Sequence, residues 1–104
     1  MAQGFEILLQ NVRVGALEID VVARKGSLLT IVEVRTRGAT AYQRALASVT
    51  PTKRKRLVSA ADRLWRERYA SDPTLERVRF DVIAITFDGE DHAEVEHIPA
   101  AFTS

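Results

Sequence analysis

Three carboxylates and one arginine stand out in the stretch from Leu17 to Arg37, which is otherwise rich in apolar and β-forming residues. One residue separates Glu18 from Asp20, and one residue separates Glu33 from Arg35. Because side chains alternate along a strand, each pair lies on one face of its strand. Like charges on neighbouring strands repel each other. A hard divalent cation such as Mg²⁺ or Mn²⁺, which prefers oxygen ligands, would offset that repulsion.

The register of the hairpin between these two strands decides which acids face each other. A two-residue loop starting at Lys25 places Glu18 opposite Glu33, whereas a loop starting at Gly26 places Asp20 opposite Glu33. Cross-strand partners share a face, so either register brings the acids and the arginine together, and only a slip of one residue would separate them. The alternative is a solvated face on which the arginine pairs with the acids. The pattern alone leaves both interpretations open.

The elements that position these residues follow each other in the order β-β-β-α-β-β. Apolar runs separated by glycine-containing turns predict strands, and apolar residues repeating every 3.6 positions after Thr50-Pro51 predict a helix. The predicted elements are strands at Phe5–Val14, Leu17–Arg24, Leu28–Thr36, Val78–Phe87 and around Glu94–Ile98, a mobile loop at Gly38–Val49, and a helix from Pro51 to about Ala70. The third strand is apolar on both faces, which predicts a central strand covered on both sides.

Length and composition predict one cytoplasmic domain, residues 1–104. Of the 104 residues, 46% are hydrophobic and 28% are charged, which is typical of globular chains and not of disordered ones. There is no run of about 18 apolar residues for a membrane helix and no secretory signal, and without cysteine there is no disulfide or thiolate zinc site. The net charge is only +1, so any affinity for nucleic acid must come from basic residues gathered on one face.

A basic cluster, Lys53-Arg54-Lys55-Arg56, occupies the first turns of the predicted helix. Cations at this end oppose the helix dipole by about 0.3–1 kcal/mol each when exposed. Helix stability alone therefore does not explain them. The free N–H groups of a helix N-terminus bind anions, so the cluster is a candidate surface for nucleic-acid phosphates. A solvated basic face is the alternative.

The sequence around these residues resembles a known family. Asp20 followed by Glu33-Val34-Arg35 is similar to the acid and E-x-K motif of the PD-(D/E)xK nucleases. The segments LEID, VVAR, IVEVRTR, SVTPTK, RFDVIAI and EHIPAAF resemble the YraN-like family of uncharacterised bacterial proteins, from about Phe5 to Phe102. That family is similar in fold to Holliday-junction resolvases, which implies an α/β (α+β) fold with a restriction-endonuclease-like mixed central sheet.

The resemblance also implies a function, a metal-dependent endonuclease acting on DNA, with branched DNA as one candidate substrate. Asp20, Glu33 and the carbonyl of Val34 would hold Mg²⁺ or Mn²⁺, and Arg35 would stabilise developing charge, with Glu18 beside them. The residues that would contact nucleic acid are Arg37, Lys53, Arg54, Lys55 and Arg56.

Two departures from the family favour an alternative, a non-catalytic nucleic-acid-binding or assembly module that keeps the fold. The E-x-K lysine is Arg35, which can clamp a phosphate but cannot act as a base. Family members usually begin with a helix that carries another acid, whereas this sequence begins Met1-Ala2-Gln3-Gly4-Phe5, so we expect that helix to be missing.

A missing helix would leave one face of the third strand uncovered. Exposed apolar patches of several hundred Å² usually mark interfaces, so we expect a homodimer about a two-fold axis. First-strand residues such as Phe5, Ile7 and Leu9, or their neighbours Leu8 and Val12, would form its interface.

Overall fold

The computed structural model describes residues 4–37, 49–87 and 93–102. Its elements are strands β1 (Glu6–Val14), β2 (Leu17–Lys25), β3 (Leu28–Arg37), β4 (Arg77–Phe87) and β5 (Ala93–Phe102), helix α1 (Pro51–Leu64) and a π-helix (Trp65–Tyr69). The predicted α/β class and the order β-β-β-α-β-β are confirmed. The predicted fifth strand is longer than expected, and residues 38–48 of the predicted loop lie outside the described residues. No helix in the described ranges is long and apolar enough to cross a membrane.

The five strands form one mixed sheet in the order β1-β2-β3-β4-β5, and β3 is its central strand. Neighbouring strands are antiparallel except for β3 and β4, which are parallel. Two parallel neighbours need a crossover connection, and α1 lies within it. This topology brings the N-terminus of α1 back toward the end at which β3 stops.

The hairpin between β2 and β3 adopts the second of the two predicted registers. Lys25 pairs with Leu28, so the two-residue loop starts at Gly26, which has a φ of +58° that favours glycine. The paired positions run up to Val21 and Val32. If this register is extended by one residue along each strand, Asp20 of β2 falls opposite Glu33 of β3.

Helix α1 begins as the sequence predicts. The side chain of Thr50 caps it by accepting a hydrogen bond of 3.2 Å from the backbone N–H of Lys53, and Pro51 follows in the first turn. Its buried residues recur at helical spacing and pack on the sheet: Leu57, Ala60, Ala61 and Leu64. The predicted helix to about Ala70 is confirmed in extent, but its last turn, from Trp65, is a π-helix.

The second face of the sheet is covered within the single chain. Phe5, just before β1, packs edge-on against His97 of β5, with ring centroids 5.8 Å apart, although β1 and β5 are opposite edges of the sheet. The sheet is therefore curled, and its edges approach each other on the face away from α1. Thr30 and Val32 on that face are 0% and 1% exposed.

This burial removes the premise of the predicted dimer. Of the first-strand residues proposed for its interface, Phe5 is buried, Leu8, Leu9 and Val12 are partly buried against the core, and Ile7 is exposed. The homodimer remains a prediction that the packing of this chain does not require.

Candidate metal and phosphate site

Asp20 takes the place of a backbone acceptor at the point where the β2–β3 ladder ends. The last paired positions are Val21 and Val32, and two residues further along β3 the N–H of Val34 donates a 2.9 Å hydrogen bond to Asp20 Oδ2. In an antiparallel ladder the N–H and C=O of one residue point to the same neighbouring strand. The carbonyl of Val34 therefore faces the same gap as Asp20. A shallow depression of about 270 Å³ opens there.

Glu33 is a buried carboxylate that two cations share. The residue is only 5% exposed. Its Oε1 lies 2.9 Å from Arg35 Nη2 and 2.8 Å from Lys53 Nζ. Burial of an unpaired charge costs several kcal/mol after relaxation, so these two ion pairs offset much of the cost of placing Glu33 here.

Lys53 reaches Glu33 from helix α1, whereas the lysine of an E-x-K motif lies on the same strand as the glutamate. The amide of Lys53 is held by the Thr50 cap, and its side chain reaches back to Glu33 on β3. The sequence places Lys53 in the basic cluster and does not predict that it contacts Glu33. The signal that could have found this contact is the parallel crossover, because it brings the start of α1 over the C-terminal part of β3.

Glu18 is located by its pairing with the first strand. It is exposed and sits opposite Arg13 in the β1–β2 ladder. In residues 4–37, 49–87 and 93–102 no group of three acidic or histidine side chains has the geometry to hold a metal ion. Of the predicted acids, Asp20 therefore lies at the end of the β2–β3 ladder, bound to the N–H of Val34, and Glu33 lies one residue earlier on β3, under Arg35 and Lys53.

The donors present still suit a magnesium or manganese ion. Mg²⁺ is usually bound by one or two carboxylates and keeps several waters. Asp20 and Glu33 supply two carboxylates on neighbouring strands, and Val34 adds a carbonyl on the side of Asp20. All are hard oxygen ligands, the kind that Mg²⁺ and Mn²⁺ prefer. The donor set therefore fits the predicted metal.

The predicted nucleic-acid-binding residues divide into two groups. Lys53 and Arg54 are engaged inside the protein: Lys53 contacts Glu33, and Arg54 donates from Nε to the carbonyl of Val49 at 2.9 Å and lies over the ring of Phe102.

Lys55 and Arg56 are exposed and form no ion pair with any part of the chain that the structure describes. With Arg63 they line a groove of about 560 Å³ between α1 and the tip of the β1–β2 hairpin. Arg37 ends β3, and its side chain lies outside the described residues. The free positive charge of the cluster thus comes from Lys55 and Arg56, next to the Glu33–Lys53 contact.

One family profile and several known proteins match this chain. The profile of the family described as "Uncharacterised protein family UPF0102" matches residues 1–85. The chain is 52% identical over 101 residues to a UPF0102 protein of Sorangium cellulosum, which covers 97% of this chain and 70% of that protein. It is 46% identical over 103 residues to a UPF0102 protein of Alkalilimnicola ehrlichii, which covers 98% and 75%. For a UPF0102 protein of Anaeromyxobacter dehalogenans, the identity is 43% over 101 residues, covering 96% and 72%.

Proposed function

We propose that this chain, which belongs to the uncharacterised protein family UPF0102 and is YraN-like as the sequence indicates, is a metal-dependent endonuclease that hydrolyses DNA in the cytoplasm. The observation that carries the proposal is a pair of contacts at adjoining positions of β3: Lys53 binds Glu33, and the N–H of Val34 binds Asp20. Two carboxylates, a backbone carbonyl and a lysine ammonium at one end of a strand pair are the groups that phosphodiester hydrolysis needs.

Asp20, Glu33 and the carbonyl of Val34 would hold the metal ion. When bound, Mg²⁺ supplies Lewis-acid activation of a phosphate oxygen and lowers the pKa of water. Glu33 also orients Lys53, because its Oε1 accepts the lysine's hydrogen bond. This arrangement holds the ammonium where negative charge develops on the attacked phosphate.

Lys53 restores a property that the E-x-K position no longer has. An arginine guanidinium cannot act as a base, whereas a lysine amine can. Arg35 is held by Glu33 and can clamp a phosphate oxygen through its remaining donors. In this proposal the helix supplies the lysine chemistry, and the strand supplies a fixed positive charge.

The exposed cations beside the site favour DNA as the substrate. Lys55 and Arg56 extend the positive surface from Lys53 along α1, toward the tip of the β1–β2 hairpin. A phosphate chain that follows these residues would pass the N-terminus of α1, where free N–H groups attract anions. Contacts with phosphates bind DNA of any base sequence. Selectivity would therefore have to come from the shape of the DNA, and a branch point is one such shape.

A cleavage assay on branched, single-stranded and duplex DNA with Mg²⁺ or Mn²⁺ tests the proposal. We expect cleavage of at least one substrate, and we expect it to disappear with a chelator or with Glu33→Gln. Arg68→Gln is the matched control, because it removes an exposed charge on the π-helix. Equal cleavage by the Glu33→Gln protein would show that the activity does not come from this site.

A second candidate is a nucleic-acid-binding or assembly module without catalysis. The double ion pair at Glu33 favours it, because Arg35 and Lys53 already offset the carboxylate charge without a metal. Tight, salt-dependent DNA binding with no cleavage of any substrate would select this candidate.

A further inference from the structure

A second basic pocket lies on the face of the sheet away from α1. Four basic side chains from three strands line it: Lys25 of β2, Arg77 and Arg79 of β4, and His97 of β5. Its volume is about 420 Å³. No carboxylate is among the described residues of its lining. The residue behind it, Asp81, pairs with Val32 and not with Glu33, so this pocket and the Glu33 site are on opposite faces of the sheet.

Asp81 is the anchor of this pocket. It is 0% exposed and accepts four hydrogen bonds: from Arg79 Nε and Nη2 at 2.8 Å each, from the N–H of Ala100 at 3.0 Å, and from His97 Nε2, which lies 2.6 Å away. A bidentate arginine pair of this kind is strong and directional. Arg79 and His97 are therefore fixed at the floor of the pocket, with the charge of Arg79 matched by Asp81.

Two further cations at the rim have no such partner. Lys25 lies over the ring of Phe5, with Nζ 5.4 Å from the ring centroid. Neither Lys25 nor Arg77 forms an ion pair with any residue in the three described ranges. Both are exposed at the ends of their strands. The pocket therefore presents two positive charges at its rim that no carboxylate of the described residues offsets, above an arginine whose charge Asp81 already matches.

We propose that this pocket binds the phosphate of a phosphomonoester. A terminal phosphate carries a charge of about −1.5 to −2 at pH 7, which matches the two free cations, whereas a phosphodiester carries only one charge. Arginine donors suit phosphate oxygens. The apolar wall of Phe5, Leu28 and Pro99 leaves room for the group that bears the phosphate. The binding does not depend on the proposed nuclease site, since the two lie on opposite faces.

Two ligands present this chemistry, a free nucleotide and the 5′-phosphate end of a DNA strand. Calorimetric titration of the purified chain with adenosine 5′-monophosphate, and with adenosine as the uncharged control, tests the first. Fluorescence anisotropy of a short single strand with and without a 5′-phosphate tests the second. We expect saturable binding of at least one phosphorylated ligand. Its unphosphorylated counterpart should bind more weakly, by about tenfold or more.

Charge-neutral variants assign that binding to the pocket. We expect Lys25→Gln and Arg77→Gln each to weaken it about tenfold or more, because each removes one charge-assisted hydrogen bond. Arg68→Gln, an exposed cation elsewhere, should leave it unchanged. Equal affinity for phosphorylated and unphosphorylated ligands would overturn the proposal. So would an equal weakening of binding in all three variants.

Discussion

Lys53 Nζ lies 2.8 Å from Glu33 Oε1, and this contact ties the first turn of α1 to a buried carboxylate on β3. Arg35 Nη2 reaches the same oxygen from the strand. The E-x-K motif of the nucleases places the acid and the lysine on one strand. Here the strand carries an arginine, and the helix supplies the lysine. The chemistry proposed for this family member therefore depends on a tertiary contact.

Replacement of Lys53 tests that dependence. We expect Lys53→Ala to reduce metal-dependent cleavage by about 10²-fold or more, the range of a positioned proton-transfer group. Lys53→Arg should be nearly as impaired, because it keeps the charge but cannot give up a proton. Single-turnover cleavage of the best DNA substrate is the measurement.

Arg68→Gln is the control, since it removes an exposed cation of the π-helix that has no contact with Glu33 among the described residues. A Lys53→Arg protein as active as the unaltered chain would limit the role of Lys53 to its charge.

Arg35→Lys tests the strand position. Its guanidinium carries a buried Nε that has no hydrogen-bond partner in the described structure. The shorter lysine would remove that unsatisfied donor and would bring a second proton-exchanging group to Glu33. We expect faster metal-dependent cleavage with the thermal midpoint retained. A variant that folds and binds DNA yet cuts no substrate would support the non-catalytic candidate instead.

The basic cluster leads to a separate prediction about how DNA binding depends on salt concentration. Lys55 and Arg56 are free, whereas Lys53 and Arg54 are engaged inside the protein. We expect Lys55→Gln and Arg56→Gln to weaken DNA binding similarly for all sequences. Removal of one phosphate-binding cation should flatten the plot of log K against log salt by about one unit. Anisotropy titrations at several salt concentrations give the slope, with Arg68→Gln as the control. An unchanged slope would mean that the two cations form a solvated face.

The strands, the helix and the general position of the acids could be predicted from sequence because they depend on local patterns. Period-2 and period-3.6 apolar spacing, the Thr50-Pro51 start and the Gly26 turn are each encoded within a few residues. For the hairpin between β2 and β3, the sequence predicts two possible registers. The positive φ of Gly26 belongs to the register that the structure adopts.

The long-range contacts were outside the reach of such patterns. The pairing of Lys53 with Glu33 depends on how the crossover seats α1. The contact of Phe5 with His97 depends on the curl of the whole sheet. For the same reason, the sequence suggested an uncovered face and a dimer, although Val32 is buried within one chain. The pocket above Asp81 combines residues from three strands that no spacing rule connects.

Asp81 makes the last prediction, which concerns stability and pH. Burial raises the pKa of Asp81, but hydrogen bonds from Arg79, the N–H of Ala100 and His97 together lower it by more, so the net shift is downward. A carboxyl whose pKa is lower in the folded state than in the unfolded state stabilises the fold at pH values above its unfolded-state pKa. That stabilisation disappears as the pH falls below about 4, the ordinary range of aspartate.

We expect Asp81→Asn to lower the free energy of unfolding at pH 7 by about 3–5 kcal/mol, as when one partner of a buried ion pair is removed. The decrease should shrink as the pH falls below about 4, because the unfolded chain then binds a proton at Asp81 that the native carboxylate does not, which removes the advantage of the native network. Urea denaturation at pH 7 and at pH 3 measures both effects. Asp72→Asn is the matched control, because the pKa of Asp72 is also lowered, first by its hydrogen bonds with Thr74, but its side chain is much more exposed than that of Asp81. Equal decreases in the two variants at pH 7 would show that the buried network around Asp81 adds nothing to stability beyond a surface hydrogen bond.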